Sequence, residues 1–269
     1  MTSATTAHLA KIRLYPIKSL DPIEVSSARI APSGALVGDR EFALFDQQGK
    51  YINGKNNPLV HRLRTSYDLT HRVITISVQG DTQTITLHLD HQRAELADWF
   101  SHFFRQPVEM RQNCAAGFPD DTESPASTIV SLATLETVQT WFPDLSLEQI
   151  RLRFRTNLEI GGVPAFWEDR LYGRAGVTVP FQIGAVTFCG TNPCQRCPVP
   201  VRDPFTGQTY PQFVKIFTQH RQATLPHWVE ASRFNHFYRL TVNTKVPPSE
   251  VGKTLRVGDA VQLLSPQIG

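Results

Sequence analysis

The 269-residue sequence lacks several features that mark whole classes of protein. It has no run of about 18 apolar residues, so no membrane-spanning helix is predicted. It has no cluster of Lys and Arg interleaved with aromatic residues, and a net charge of +3 is too small to indicate nucleic-acid binding. With 41% hydrophobic and 19% charged residues, the composition is that of an ordinary globular protein.

The N-terminal segment and the use of cysteine both predict a cytoplasmic protein. Residues 1–10 are small and polar, without the apolar core of a secretory signal or the arginine-rich character of a transit peptide. Of the four cysteines, Cys189, Cys194 and Cys197 fall within nine residues. A disulfide framework would place its cysteines on distant segments. The cluster therefore indicates a metal ligand or a reactive thiol that is kept reduced.

Short strands separated by turns make up most of the first ninety residues. Residues 41–46 form a strongly apolar segment that is typical of a buried strand. Apolar and polar residues alternate over 73–78 and 83–89, on either side of Gly80 and Asp81, which predicts a β-hairpin. This pattern of short strands and turns is typical of a β-barrel or a β-sandwich.

Helical spacing appears in a few segments only. Apolar residues recur every three or four positions over 94–104 and again over 131–142, which predicts two helices, the second with Ser131 as its N-cap. A further helical turn is predicted over 147–151. Most of the remaining sequence is predicted to form strands, so we expect a mainly β fold of the α+β class with a few helices.

The cysteine cluster allows several interpretations. A structural zinc site needs four Cys or His ligands, and here a second pair is missing after Cys194 and Cys197. The spacing of Cys189, Cys194 and Cys197 is that of three plant-type ferredoxin ligands, but no cysteine follows to supply the fourth. A thioredoxin-like redox pair should precede a helix, which the prolines after Cys197 disfavour. Buried, inert thiols are the remaining structural alternative.

A single metal-binding thiolate on a loop stiffened by proline is the interpretation that we favour. The other metal ligands would come from a bound organic cofactor, and a soft thiolate suits a thiophilic metal. Arg196 precedes Cys197 directly, and its positive charge would favour the thiolate form of that cysteine.

Six segments, in order along the chain, resemble the MOSC-domain proteins, and most closely the mitochondrial amidoxime-reducing component and its bacterial homologues. They are Tyr-Pro-Ile-Lys-Ser-Leu at 15–20, Gly-Asp-Arg at 38–40, Arg-Phe-Arg-Thr-Asn at 153–157, Phe-Trp-Glu-Asp at 166–169, the cysteine segment at 194–207, and Val-Gly-Asp at 257–259. The resemblance implies an N-terminal β-barrel-like domain over 1–105, packed closely on a β-barrel MOSC domain over 106–269.

The resemblance also implies a cofactor and its ligands. The family binds molybdenum cofactor, a pterin whose dithiolene holds the metal and which carries a phosphate at its other end. In this chain the metal ligand would be Cys197. The pterin and its phosphate would be bound by residues at positions that match the family's motifs: Lys18, Ser19, Arg40, Ser131, Arg155 and Asn157.

The function implied is a molybdenum-dependent reduction of small N-hydroxylated compounds, such as amidoximes, hydroxylamines or N-hydroxylated bases. Its electrons would come from a separate ferredoxin-, flavodoxin- or cytochrome-type protein, because the chain carries no ferredoxin motif. No nucleic-acid partner and no membrane span are expected. The alternative is a carrier of molybdenum cofactor or sulfur that uses Cys197.

Overall fold

A computed structural model describes residues 6–264 of the chain. These residues form four α-helices and fifteen β-strands. The helices are α1 Arg93–Phe104, α2 Leu132–Thr140, α3 Leu147–Phe154 and α4 Phe213–Ala223. The strands are β1 His8–Leu14, β2 Ile23–Val25, β3 Ser27–Arg29, β4 Phe42–Phe45, β5 Leu63–Asp68, β6 Val73–Val78, β7 Thr84–His88, β8 Glu109–Gln112, β9 Ile129–Ser131, β10 Leu158–Gly161, β11 Val179–Ile183, β12 Val186–Gln195, β13 Arg239–Lys245, β14 Thr254–Arg256 and β15 Val261–Leu263.

An eight-stranded sheet, in the order β15-β11-β12-β13-β9-β10-β1-β2, joins strands from both ends of the chain. β1 runs antiparallel to β10, with Leu9 opposite Ile160, and β9 runs parallel to β10. A second link pairs β3 with β14. The predicted boundary at residue 105 therefore does not separate the hydrogen-bonded sheets, because strands of the first half complete a sheet of the second.

The first half also has a core of its own. β5, β6 and β7 form an antiparallel sheet, and the pairing of β6 with β7 confirms the predicted hairpin. The predicted helix over 94–104 is present as α1, and its Leu96, Phe100 and Phe104 are buried in this core. The aromatic face of α1 is therefore used for packing.

The helices of the second half were predicted only in part. α2 begins after Ser131, whose hydroxyl accepts a hydrogen bond from the Thr134 amide, as expected of an N-cap. α3 is longer than the single turn predicted. α4 was missed, because the residue that continues its buried stripe after Phe213 and Phe217 is Arg221, and a charge at a core position interrupts the apolar period.

The fold class is as predicted, mainly β within the α+β class. None of the helices in the described part of the chain combines the length and the apolar character needed to cross a bilayer.

Candidate functional site

A cleft of about 330 Å³ lies between the two halves. Its volume falls in the range of about 300–1,000 Å³ that is typical of small-molecule sites. Both halves contribute to its walls, and the cleft brings together six residues that were predicted as a cofactor site: Lys18, Ser19, Arg40, Arg155, Asn157 and Cys197.

Two of the predicted motifs are hydrogen-bonded to each other, and this positions Lys18 and Arg40 on the same wall. The amide of Arg40 donates to the Tyr15 carbonyl at 2.7 Å, and the amide of Lys18 donates to the Phe42 carbonyl at 2.8 Å. The carboxylate of Asp39 accepts from the Tyr15 amide at 2.8 Å. Segments that are more than twenty residues apart in sequence therefore form one rigid edge of the cleft.

Three residues of the cleft have left-handed backbone conformations. Ser19, Arg40 and Arg155 have φ angles of 74°, 51° and 53°. This region is unfavourable for residues other than glycine, by about 1–2 kcal/mol each. Such conformations persist where the surrounding structure enforces them, and they concentrate at ligand-binding and active sites. The backbone strain therefore supports a functional role for this cleft independently of its side chains.

The aromatic ring of Tyr15 supports both arginines of the predicted site. The Arg155 guanidinium lies 4.2 Å from the ring centroid, and that of Arg40 lies 5.3 Å from it. Arg155 also donates to the Leu20 carbonyl at 2.7 Å, and Arg40 donates to Asp39 and to Asn157 Oδ1. Asn157 is only 1% exposed, so its side chain is better placed to orient Arg40 than to contact a ligand directly.

Lys18 is held at one end of the cleft by an acidic residue that sequence analysis did not single out. Its ammonium group, which is 6% exposed, donates to Asp120 at 2.9 Å and to the Phe118 carbonyl at 2.8 Å. Burial lowers the pKa of Lys18. Burial alone would raise the pKa of Asp120, but the charges of Lys18, Arg40 and Lys55 hold it below its ordinary value. Asp120 is therefore a carboxylate that faces a cationic surface.

Ser131 was predicted as a cofactor ligand but does not line the cleft. It is completely buried, and its hydroxyl is hydrogen-bonded to Thr134 at 2.7 Å, while its amide donates to Glu168 at 3.1 Å. Next to Glu168, Asp169 is ion-paired with Arg221 on α4. We call the set of Ser131, Thr134, Glu168, Asp169, Tyr172 and Arg221 the core network.

The three clustered cysteines do not converge. Cys194 and Cys197 line the cleft, whereas Cys189 lies outside its lining. Cys189 and Cys194 both lie on β12, so about five residues of extended chain, roughly 16 Å, separate them. This separation excludes the ferredoxin-like arrangement. Within residues 6–264, no three His, Cys, Asp or Glu side chains are grouped so that they could hold a metal ion.

The loop that carries Cys197 is anchored at the C-terminal end of α3. Arg153, whose side chain is 1% exposed, donates to the carbonyls of Pro200 and Arg202 at 2.9 and 2.6 Å. Arg196 donates to the Phe154 carbonyl at 2.7 Å. A second interaction of Arg196 differs from expectation, because its guanidinium contacts Cys194 Sγ at 3.3 Å. The guanidinium that was expected to lie beside Cys197 thus also contacts Cys194.

Several cleft residues that the structure identifies were not predicted from the sequence, among them Asp120, His61, Arg64 and Arg202, and neither was the loop anchor Arg153. Arg153 and Arg202 stand inside two of the predicted motifs, so their positions were usable signals. Asp120, His61 and Arg64 lie outside the motifs, and no local feature of the sequence distinguishes them from surface residues.

The two parts of the chain that form the walls of this cleft each match a known protein family. Residues 6–99 match the MOSC N-terminal beta barrel domain, and residues 122–262 match the MOSC domain. The chain belongs to the MOSC family. This membership confirms the resemblance that was drawn from the six sequence motifs, and the MOSC family is associated with molybdenum cofactor.

Two relatives of this MOSC protein are similar over most of its length. The human molybdenum cofactor sulfurase is 22% identical over 247 residues, and the match covers 74% of this chain and 27% of the relative. The bovine molybdenum cofactor sulfurase is 21% identical over 262 residues, covering 80% of this chain and 29% of the relative. The matched region thus spans less than a third of each of these longer proteins.

Proposed function

We propose that this protein is a molybdenum-cofactor-dependent reductase of N-hydroxylated compounds, with Cys197 as the protein ligand to the metal. The observation that carries the proposal is the grouping of Cys197 with Lys18, Arg40 and Arg155 in one cleft between the halves. A soft thiolate suits a thiophilic metal, and lysine and arginine suit a phosphate. Membership of the MOSC family supports the same cofactor.

The residues of the cleft fit this group in size and in chemistry. One thiolate on a loop that is held rigid by Arg153 suits a metal whose other ligands belong to a bound organic molecule. The buried Nε atom of Arg196, the residue that precedes Cys197, has no hydrogen-bond partner among the described residues. Lys18 and Arg155 provide the cationic donors that a phosphate needs.

Each residue then has a distinct task. When bound, the cofactor supplies two-electron redox chemistry and an open coordination position. Cys197 holds the metal, and Arg153 keeps the Cys197 loop in place. Lys18 and Arg155 bind the phosphate, and the ring of Tyr15 fixes the guanidinium of Arg155. These residues act by binding and orientation, so the protein's contribution is a preorganised site.

The proposed reaction breaks the N–O bond of the substrate. It consumes two electrons and two protons, and it releases the corresponding amine or amidine together with water. We assign the supply of electrons to a separate protein of the ferredoxin, flavodoxin or cytochrome type.

The test is steady turnover by the purified protein. The chain would be expressed in a host that makes molybdenum cofactor, and its molybdenum and pterin contents would be measured. Reduction of benzamidoxime would then be followed with an artificial electron donor. We expect multiple turnovers per bound molybdenum. A protein that carries a full complement of molybdenum but reduces neither an amidoxime nor a hydroxylamine contradicts the proposal.

A carrier of cofactor or sulfur is the second candidate, favoured by the name of the two relatives. In that case Cys197 would take the terminal sulfur of a donor persulfide, which would leave as a thiol, or the bound cofactor would pass to another protein. Mass spectrometry after incubation with a sulfur donor detects the first, and release of cofactor to an acceptor apoprotein detects the second. A protein that does either and does not turn over substrate is a carrier.

A further inference from the structure

The charges of the cleft are not neutralised evenly. Seven cationic and three acidic side chains line it, and a fourth acidic residue, Asp39, pairs with Arg40, which leaves a surplus of three positive charges if His61 is neutral. On the wall formed by the first half, every cation has a carboxylate beside it: Lys18 and Lys55 contact Asp120, Arg64 contacts Asp21, and Arg40 contacts Asp39.

The cations without a carboxylate partner lie on the other wall. The ion pairs found among residues 6–264 include neither Arg155, Arg196 nor Arg202. Of these three, Arg196 makes hydrogen bonds to Phe154, Cys194 and Thr241 through both of its terminal nitrogens. Arg155 is used for the phosphate of the cofactor in the proposed function. Arg202 has no role in the proposed function.

Arg202 is rigidly held by its backbone, whereas its side chain makes few contacts. Its amide donates to the Val199 carbonyl at 3.0 Å, and its carbonyl accepts from Arg153. Its guanidinium makes one long hydrogen bond, 3.3 Å to the Gly207 carbonyl, and its buried Nε has no partner among the described residues. Because a guanidinium has five N–H donors, most of the hydrogen-bonding capacity of Arg202 is free.

His61, on the facing wall, lies in the positive field of this corner. A Cβ atom on Gly54 would lie 2.9 Å from its Nε2, so glycine leaves room for the ring. Burial lowers the pKa of His61 to about 4, and the charges of Arg155, Arg202 and Arg64 act in the same direction. His61 is therefore neutral near pH 7 and does not repel a cationic ligand or attract an anionic one.

We propose that Arg202 binds an anionic group of the substrate, so that the preferred substrates are N-hydroxylated compounds with a carboxylate or phosphate. Arg202 lies five residues after Cys197 on the same loop and faces the same cleft. A phosphate monoester carries about two negative charges at neutral pH. The cofactor phosphate therefore offsets about two of the three surplus charges, and one anionic group on the substrate offsets the third. This inference rests on the proposed function.

The experiment compares benzamidoxime with 4-carboxybenzamidoxime, which differ by one carboxylate. We expect the wild-type holoprotein to have a value of kcat/KM about tenfold or more higher for the carboxylated compound, as expected for one charged hydrogen bond. Arg202→Gln should abolish this preference and leave turnover of benzamidoxime within about threefold of wild type. Arg202→Lys should keep part of the preference, because lysine keeps the positive charge but lacks the paired N–H donors of a guanidinium.

Lys55→Gln is the matched control, because it removes one positive charge from the same cleft at a residue that already pairs with Asp120. It should leave the preference intact. Equal loss of preference in the Arg202→Gln and Lys55→Gln variants would show a general effect of charge and would overturn the inference. So would equal kcat/KM values for the two substrates in the wild type.

Two further measurements separate this inference from the proposed function. Molybdenum content of Arg202→Gln should equal that of wild type, and a loss would mean that Arg202 binds the cofactor instead. Calorimetric binding of 4-amidinobenzoate and benzamidine needs no turnover. If the holoprotein reduces neither amidoxime, the proposed function fails, and binding of 4-amidinobenzoate that is unaffected by Arg202→Gln refutes the anion site independently.

Discussion

The core network and the cleft both hold charged side chains away from water, and they are organised in opposite ways. In the core network, Arg221 is ion-paired with Asp169 and lies over the rings of Phe166 and Phe234 at 4.3 and 5.0 Å. Arg221 is thus matched by Asp169, and Glu168 accepts hydrogen bonds from the Ser131 amide and the Thr134 hydroxyl. The second-half wall of the cleft has arginines without carboxylate partners among the described residues.

This difference shows how a buried charge can be interpreted. A matched network joins segments of the fold, here the start of α2, the turn that carries Glu168, and α4. An unmatched group on a concave surface requires a counter-charge from a ligand, because an isolated buried charge is costly. Changes in the core network should therefore alter stability, and changes in the cleft should alter what the protein binds. The following predictions test this division, from the largest effect to the smallest.

Cys197→Ser should remove nearly all bound molybdenum and all reductase activity, because a serine hydroxyl is a poor ligand for a thiophilic metal. Molybdenum per chain would be measured by mass spectrometry on purified protein. Cys194→Ser is the control, because it changes the other thiol of the cleft, and it should retain most of the metal. Equal loss of metal in the two variants would indicate a site shared by both cysteines.

Arg221→Met should lower the free energy of unfolding by about 3–5 kcal/mol, because it leaves Asp169 as a buried charge without its partner. Urea unfolding of the variant and the wild type would measure this change. The folded fraction should still bind a normal amount of molybdenum. A variant with normal stability and little bound cofactor would show that Arg221 acts on cofactor binding and not on stability.

Arg155→Ala, in contrast to Arg221→Met, should weaken cofactor binding and have little effect on the free energy of unfolding. Loss of a charged hydrogen bond to the phosphate, worth about 1.5–3 kcal/mol, should lower cofactor occupancy by about one to two orders of magnitude when cofactor is limiting. Turnover per bound molybdenum should change little, and Arg155→Lys should recover part of the occupancy. Full occupancy with no turnover per metal would mean that Arg155 acts on the substrate.

Stability should depend on pH through Glu168. Burial, together with the charge of Asp169, raises the pKa of Glu168 to about 7, from a reference value of 4.5. The folded protein therefore binds this proton more tightly than the unfolded chain does. Its contribution to stability is complete below about pH 4.5 and is lost as the pH rises through about 7, at about 1.4 kcal/mol per pH unit between these values.

Glu168→Gln should flatten this dependence, because an amide does not titrate. Urea unfolding at several pH values between 5 and 8 would measure the slope for both proteins. His220→Gln, at a surface position on α4, would serve as the control for other titrating groups. A slope that is the same with and without Glu168 would show that the carboxyl is not the source.

The motifs predicted much of the site because each places its functional residue on a locally determined turn. Lys18 and Arg40 lie on two segments that pair through their own backbones, and Arg155 ends α3 in a left-handed conformation. The Phe-Trp-Glu-Asp motif and Ser131 were equally visible as sequence, but they belong to the core network. A motif shows that a residue is constrained, and it does not show which surface the residue faces.

Several properties of this protein were determined by the sequence alone. They include the mainly β fold class, the hairpin of β6 and β7, the helix α1, and membership of the MOSC family, because periodicity, turn residues and motifs are local features of the chain. The tertiary structure decided that Cys189 lies apart from Cys194 and that Arg196 contacts Cys194. It also decided that Asp120 pairs with Lys18 and that Arg202 forms no ion pair within residues 6–264. These facts depend on distances between segments far apart in the chain, and only the folded backbone determines such distances.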